Sequence, residues 1–464
     1  MKYHSTKSKR SIMQKLGLAK AGRDLDEVAG LAQAEWKRSW WVKQVDQPTA
    51  EVDWDVMQRY DSRYVPQVYY ANYVGQDVAD KLNKLSNDRR NEYILQNKPG
   101  YTLRDRALEI GANRGTTAPV FIPDYSSPAQ FSNRASKIFT ADDIGVPRWE
   151  GTPEENARMI RSAAIYYGAG QVGFVELDEK TRKLIYSFDA DGKKIEFEDV
   201  DLAYETEDKR VIPNKARWVI VFSVQMSEEL LKRRDGLFST ALSGTPNSMG
   251  YSQGRNVLDR LQTFLHVLGY QGLGSPWFNG LGIGPALGIM AGLGEQSRLN
   301  VMISPEFGPM QRIFRLVTDL PLAPTGPIDA GIMRFCRTCK KCATLCPSKT
   351  LSEADDPSWE TSGTWSNPGH KAYHYIDSAK CMTQWKVSSA GCSTCLSVCP
   401  FAKKHKSFIH TVVESTIAKV PMFNGIFTKM DELLGYDKPK DNELWWDLDM
   451  PPHGMDSTHG TELD

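Results

Sequence analysis

The stretch Cys336-Arg-Thr-Cys-Lys-Lys-Cys-Ala-Thr-Leu-Cys-Pro347 places four thiols within eleven residues. Cys381, Cys392, Cys395 and Cys399, the last followed by Pro400, complete the eight cysteines of the chain. Disulfides would staple a small secreted fold that lacks a core. A chain of 464 residues, 41% of them hydrophobic, builds a core without them. Paired CxxC motifs can also make a tetrahedral zinc site. The first run, however, reads C-x2-C-x2-C-x3-C-P, the spacing that holds [4Fe–4S] clusters, and the second ends in C-x2-C-x3-C-P. In two-cluster ferredoxins the fourth Cys of each run ligates the other cluster. That rule gives Cys336, Cys339, Cys342 and Cys399 to a first cluster. Cys346, Cys381, Cys392 and Cys395 make the second. The run is half of an electron path, so the rest of the chain must hold what the path feeds.

Charge narrows the partners. Lys+Arg and Asp+Glu both number 57, so the net charge is zero. Nothing in that balance favours nucleic acid or an anionic membrane surface. No apolar run approaches the length of a transmembrane helix. Membrane attachment would therefore come through a partner.

The N-terminus, Ser8-Lys-Arg-Ser-Ile-Met-Gln-Lys15, is similar to a twin-arginine export signal with Lys9 in the first Arg position. The apolar stretch of about 7–15 residues that should follow is broken by Lys20, Arg23, Asp24 and Asp26. Residues 1–40 are read as this atypical leader; a basic amphipathic helix is the alternative. Residues 41–148 form an N-terminal unit covering a core at 149–330. The cluster domain spans 331–410, and 411–464 wraps the body as a tail.

Within the core, Thr152-Pro-Glu-Glu155 predicts a helix start with a capping box and Pro at the first turn. Gly168 closes that helix. Val172–Leu177, 217–224 and 311–318 read as strands. Residues 178–213, charged and holding Asp191-Gly192, predict a solvent-facing hairpin insertion. Val257–Leu268 predicts an amphipathic helix ended by Gly269.

The stretch 267–296 is rich in glycine but carries no G-x-G-x-x-G, so a dinucleotide loop is excluded. Glycines still let backbone approach a large ligand, and tight turns explain them equally. There is no C-x-x-C-H haem motif. The cobalamin loop D-x-H-x-x-G is also missing: His266 and Gly269 are present, but Phe264 stands where Asp is needed.

Several further stretches carry a resemblance: WEGTPEEN at 149–156, GLGEQSR at 292–298, TDLPLAPTGPIDAGI at 318–332 and FNGIF at 423–427. With both cysteine runs, the chain resembles the respiratory reductive dehalogenases, most of all their chloroethene-reducing branch. The resemblance implies an α+β, nitroreductase-like cobalamin-binding core with a ferredoxin-like domain bearing two [4Fe–4S] clusters. It implies a base-off cobalamin with no His below cobalt, which would account for the missing loop and for Gly282, Gly284, Gly292 and Gly294 as cofactor contacts. It places a proton-donating Tyr at Tyr251 and its Arg partner at Arg312. A third family position falls near Trp277–Asn279; Asn279 is the match, and Trp277 and Phe278 line the pocket or pack the core.

The same resemblance implies a small halogenated organic substrate and a chloroethene of the tetrachloroethene or trichloroethene type. It implies a small integral membrane anchor protein, a respiratory electron donor and a homodimer, with no nucleic acid. It sets the protein on the outer face of the cytoplasmic membrane; without export it is cytoplasmic. The chemistry is self-consistent. Replacing C–Cl by C–H takes two electrons and one proton and releases chloride. A Tyr phenol, with a pKa of about 10 in water, is a weak acid at neutral pH. A nearby Arg lowers a partner acid by roughly 1–3 units and stabilises its anion. Two rivals are an epoxyqueuosine reductase, which needs a basic RNA surface and an Asp acid, and a non-catalytic electron-transfer protein, which leaves the core unexplained.

Overall fold

A four-stranded antiparallel sheet organises the core of the computed structural model, which describes residues 40–112, 121–122, 138, 140–145, 147–274, 280–361, 368–402, 435 and 437–454. The leader up to residue 39, the FNGIF stretch and Trp277, Phe278 and Asn279 lie outside the described residues.

Helix α1 (Pro153–Tyr167) starts as its sequence predicts. Thr152 Oγ1 accepts from Glu155 N at 3.2 Å, and Glu155 accepts from Thr152 N at 2.9 Å. Gly168 ends it in the left-handed region, at φ 114°. Strands β1 (Gln171–Glu176) and β2 (Trp218–Gln225) follow. Helix α2 (Ala241–Val267) leads to the short β3 (Gly272–Leu273). Helix α3 (Gly284–Met290) and strand β4 (Gln311–Thr318) complete the core. The strand order is β1-β2-β4-β3.

Side chains alternate across a strand, and here the alternation separates two cores. Phe174, Ile220, Phe222, Phe314 and Leu316 face α1 and α2. Val175, Val219, Val221 and Val317 face α3 and the 184–216 segment. Phe222 sits opposite Phe314 in register, with the rings stacked 5.4 Å apart. Each such buried side chain contributes about 1.5–3 kcal/mol.

Two sequence expectations change. Helix α2 begins at Ala241, not Val257, and contains Pro246. Pro246 and Gly244, Gly250 and Gly254 hide its periodicity, yet a Thr240–Ser243 capping box starts it and packing on β4 holds it. The 178–213 segment is also more than an exposed hairpin. The turn at 189–193 forms, but Lys194–Glu198 pairs parallel to Lys209–Pro213, with Tyr204–Glu205 antiparallel on the other side. Ile195, Val211 and Ile212 are fully buried, and Ile195 and Ile212 join the core beneath the sheet.

The described N-terminal residues lash the core to the cysteine-rich region. Lys43–Gln44 pairs with Ile328–Asp329, and Asp53 N donates to Gly369 O at 2.7 Å. At the other end, Trp446 Nε1 donates to Asp105 at 2.9 Å and Lys440 pairs with Glu229 at 2.6 Å. Among the described residues no helix is long and apolar enough to cross a membrane.

Candidate active site

Strand β4 is paired along its whole length by β2, but β3 covers only Val317 and Thr318. Among the described residues no strand pairs the outer edge of 311–316. A cavity of about 420 Å³ opens there. Three parts of the chain wall it. The core gives Tyr251, Arg312, Arg315 and Tyr186; the N-terminal segment gives Trp54, Met57 and Tyr60; the cysteine region gives Cys346, Cys381, Cys392 and Cys395.

Tyr251 comes from α2 and Arg312 from β4. The Arg312 guanidinium carbon lies 5.1 Å from the Tyr251 ring centroid. Arg312 Nη2 donates to Asn247 Oδ1, while its Nε is buried with no hydrogen-bond partner among the described residues. Asn247 is four residues before Tyr251 and therefore on the same helix face. Gly250 makes the approach possible, since a Cβ there would stand 3.0 Å from Arg312 Cγ. The Tyr251 ring is set edge-on to Phe314 at 6.2 Å.

The thiols of the two cysteine runs interleave. Burial raises Cys342 well above its ordinary value, and its charged neighbours are Cys336, Cys399, Cys339 and Cys395. Burial likewise raises Cys395, whose neighbours are Cys392, Cys381 and Cys346. Cys336 and Cys381 are both pushed up to about 12, mainly by burial. Cys346 goes the other way: burial opposes ionisation, but Ser348 and Thr350, at 3.4 and 3.8 Å, outweigh it. None of the eight cysteines is in a disulfide. Among the described residues no three His, Cys, Asp or Glu are gathered around one point as a single metal ion requires.

Of the four glycines singled out in the sequence, Gly284 lines the cavity. Gly282 and Gly294 instead face protein backbone: a Cβ would stand 2.5 Å from Leu184 O and 2.3 Å from Ile303 O. Gly292 turns the chain at φ 70°.

The sequence also meets known proteins. Residues 37–322 match the family model for a reductive dehalogenase subunit, and residues 335–402 match a 4Fe-4S double cluster binding domain. The chain belongs to the reductive dehalogenase family. It is 30% identical to a chloroethene reductive dehalogenase of Dehalococcoides mccartyi, over 98% of this chain and 99% of that one. It is 32% identical to a tetrachloroethene reductive dehalogenase of Sulfurospirillum multivorans, over 76% of this chain and 66% of that one. A solved reductive dehalogenase, described as performing B12-dependent dehalogenation, shares the fold with a TM-score of 0.56 at 19% identity. The match covers 86% of this chain and about half, 49%, of that chain.

The residues of this dehalogenase fit both cofactors. Bound iron would hold these buried thiols as thiolates. The cavity wall joins apolar Trp54, Met57, Ile289 and Met290 to amide-bearing Gln296, Asn300 and Gln311. Buried Gln311 Oε1 has no hydrogen-bond partner among the described residues, so a ligand rich in amides finds an acceptor ready.

Reading the sequence missed the struts. Asn156 of WEGTPEEN donates to Pro321 O at 3.0 Å and accepts from Trp149 Nε1 at 2.8 Å. Glu295 of GLGEQSR accepts from Thr49 at 2.6 Å, Ala330 N at 2.8 Å and Ile332 N at 2.9 Å. It thereby holds the start of helix α4 (Ile332–Thr338), which carries Cys336. Arg298, fully buried, donates to the carbonyls of Cys336, Ser352 and Ala354 at 2.7–2.9 Å and lies 3.9 Å over the Tyr373 ring. WEGTPEEN thus braces the core against the 318–332 stretch, and GLGEQSR joins the core to the cluster domain. A charged residue inside an otherwise apolar and glycine-rich run, as at Glu295 and Arg298, was the available signal.

Proposed function

We propose that the protein replaces C–Cl by C–H in small chlorinated alkenes of the tetrachloroethene or trichloroethene type. One observation carries this reading: Tyr251, Arg312 and one set of four thiols line the same cavity. The thiols of Cys346, Cys381, Cys392 and Cys395 hold the [4Fe–4S] cluster nearest the cavity. Cys336, Cys339, Cys342 and Cys399 hold the other. The residues lining the cavity would hold cobalamin, which would supply the low-potential chemistry needed to deliver two electrons to the substrate as chloride leaves and a proton is added. The nitroreductase-like description of the core rests on the family resemblance.

Tyr251 gives the proton from its phenol oxygen to the carbon that loses chloride. Arg312, turned by Asn247 against the Tyr251 ring, stabilises the phenolate left behind. The apolar wall of Trp54, Met57 and Ile289 excludes water and favours an uncharged substrate. Among the described residues His370 is the one histidine in the wall. A Co(II) EPR spectrum without nitrogen splitting supports base-off binding; splitting lost in His370→Ala would place that ring on cobalt.

The same reading makes the chain the terminal reductase of organohalide respiration. It would work with a small integral membrane anchor and a respiratory donor on the outer face of the cytoplasmic membrane. The deciding experiment is anaerobic turnover of cobalamin-loaded protein against a panel of halocarbons, with chloride release as the readout. No chloride from any chloroalkene, with both clusters and cobalamin in place, overturns the substrate class.

A further inference from the structure

Among the described residues Arg315 has no carboxylate partner. It is 5% exposed, and its Nε is buried with no hydrogen-bond partner among the described residues. Nη1 donates to Ile313 O at 3.1 Å. Two glycines cradle the guanidinium: a Cβ on Gly280 would stand 2.7 Å from its Cζ, and one on Gly284 2.8 Å from Nη1. The group is therefore held in one place rather than left to swing.

The wall around it offers no carboxylate among the described residues. Among the described residues the cavity is lined by two arginines and no Asp or Glu. Tyr186 and Tyr251 are the charged-neighbour candidates. Burial pushes the Tyr186 phenol above its ordinary value, so Tyr186 is neutral at pH 7. Arg234 is the cationic neighbour of the cavity thiol Cys392. Arg312 already has a task against Tyr251. An isolated buried cation is costly unless paired, so a site that keeps Arg315 dry is arranged for an anion from outside the chain.

Arg312 and Arg315 are three residues apart on β4 and so project from opposite faces of the strand. Both reach the cavity because the edge between them is uncovered. The reaction produces two negative charges where it began with none on the substrate: R–Cl plus two electrons and one proton gives R–H and Cl⁻, and the phenol that gave the proton is left as phenolate until it is reprotonated. One cation for each is what the wall contains.

We propose that the Arg315 guanidinium is an anion-binding site that receives the released halide. This rests on the dehalogenation reading. The other source of a small negative group is the phosphodiester of a bound cobamide, and the test separates the two.

Crystals of the cobalamin-loaded holoenzyme are soaked in bromide and measured at the bromine absorption edge. An anomalous peak in contact with the Arg315 guanidinium is expected. Arg315→Met should lose that peak and keep its cobalamin by visible spectrum. Its inhibition by added chloride should weaken about tenfold or more, the effect of losing one charge-assisted hydrogen bond. Arg315→Lys, which keeps the charge, should restore part of the halide inhibition. Absence of bromide at Arg315 in the wild-type crystals overturns the proposal, even if neither variant folds. Loss of cobalamin from Arg315→Met, with no bromide bound in the wild type, assigns the cation to the cofactor phosphodiester instead. Chloride release by the wild type is assayed separately. Turnover without halide at Arg315 sinks this inference alone; halide at Arg315 without any turnover sinks the substrate reading and leaves the anion site standing.

Discussion

Tyr251→Phe keeps the ring that meets Phe314 edge-on at 6.2 Å and removes only the transferable proton. Clusters and cobalamin should be retained while turnover falls by about 10²–10⁴-fold, the range for positioned acid catalysis. Near wild-type dehalogenation by a fully loaded Tyr251→Phe enzyme would leave Tyr251 as a packing residue. Arg312→Lys should also slow turnover, since a flexible ammonium does not reproduce a guanidinium fixed by Asn247. The double variant should be far less than multiplicatively worse, because the two side chains act as one unit. At this scale the sequence was legible only in part. Tyr251 and Arg312 were reached through resemblance, since a lone Tyr or Arg carries no spacing signal. Asn247 would have followed from its place one turn before Tyr251, had the helix been traced that far back. Arg315 had no such route: what marks it is a missing partner, and partners separated by long stretches of chain are invisible before the chain folds.

Elements show the same division. The capping box at Thr152 and the strands around 217–224 and 311–318 were legible because their signals are local: a cap within one turn, or an unbroken apolar run. Helix α2 was traced for its last turns only, since glycine and proline inside it read as breakers. Those glycines are contact residues. A Cβ at Gly254 would stand 1.9 Å from Phe314 Cε2, so the helix can cross β4 at this height only without a side chain. Gly254→Ala must push the Phe314 ring aside. That ring stacks on Phe222 at 5.4 Å and abuts Tyr251, so the strain passes directly to the proposed acid. Overpacking of this kind costs about 1–3 kcal/mol, and a displacement of 1 Å at a reacting group can cost about 10²-fold in rate. The expected result is a lowered melting temperature together with lowered turnover at unchanged iron content. A variant as stable and as fast as wild type would mean that the crossing is looser than this contact implies.

Across the whole molecule, the cavity exists only where three parts of the chain meet, so its integrity depends on the joints. Arg298→Met would strand the carbonyls of Cys336, Ser352 and Ala354 in a dry interior. Each buried group left unsatisfied costs about 1–3 kcal/mol, a large share of the 5–15 kcal/mol typical of a domain. Thermal unfolding should therefore start earlier and iron should be lost on isolation; unchanged melting and iron content would make Arg298 dispensable. The two cysteine runs are interlocked more tightly still. Cys399 sits in the second run, yet it is a charged neighbour of Cys342 in the first, and Phe401 beside it meets Phe335 edge-on at 5.3 Å. Neither run can hold a complete cluster by itself under the proposed ligand sets. Iron and acid-labile sulfide should each come to about eight per chain, from two clusters with four irons apiece. Cys399→Ser should perturb the cluster of Cys336, Cys339 and Cys342, the one farther from the cavity, and leave the EPR signal of the other in place. The electron path would then be cut upstream: chemical reduction of the cobalamin should still permit a turnover that the physiological route no longer supplies. If the signal lost is instead that of the cluster beside the cavity, each run ligates its own cluster and the pairing is reversed.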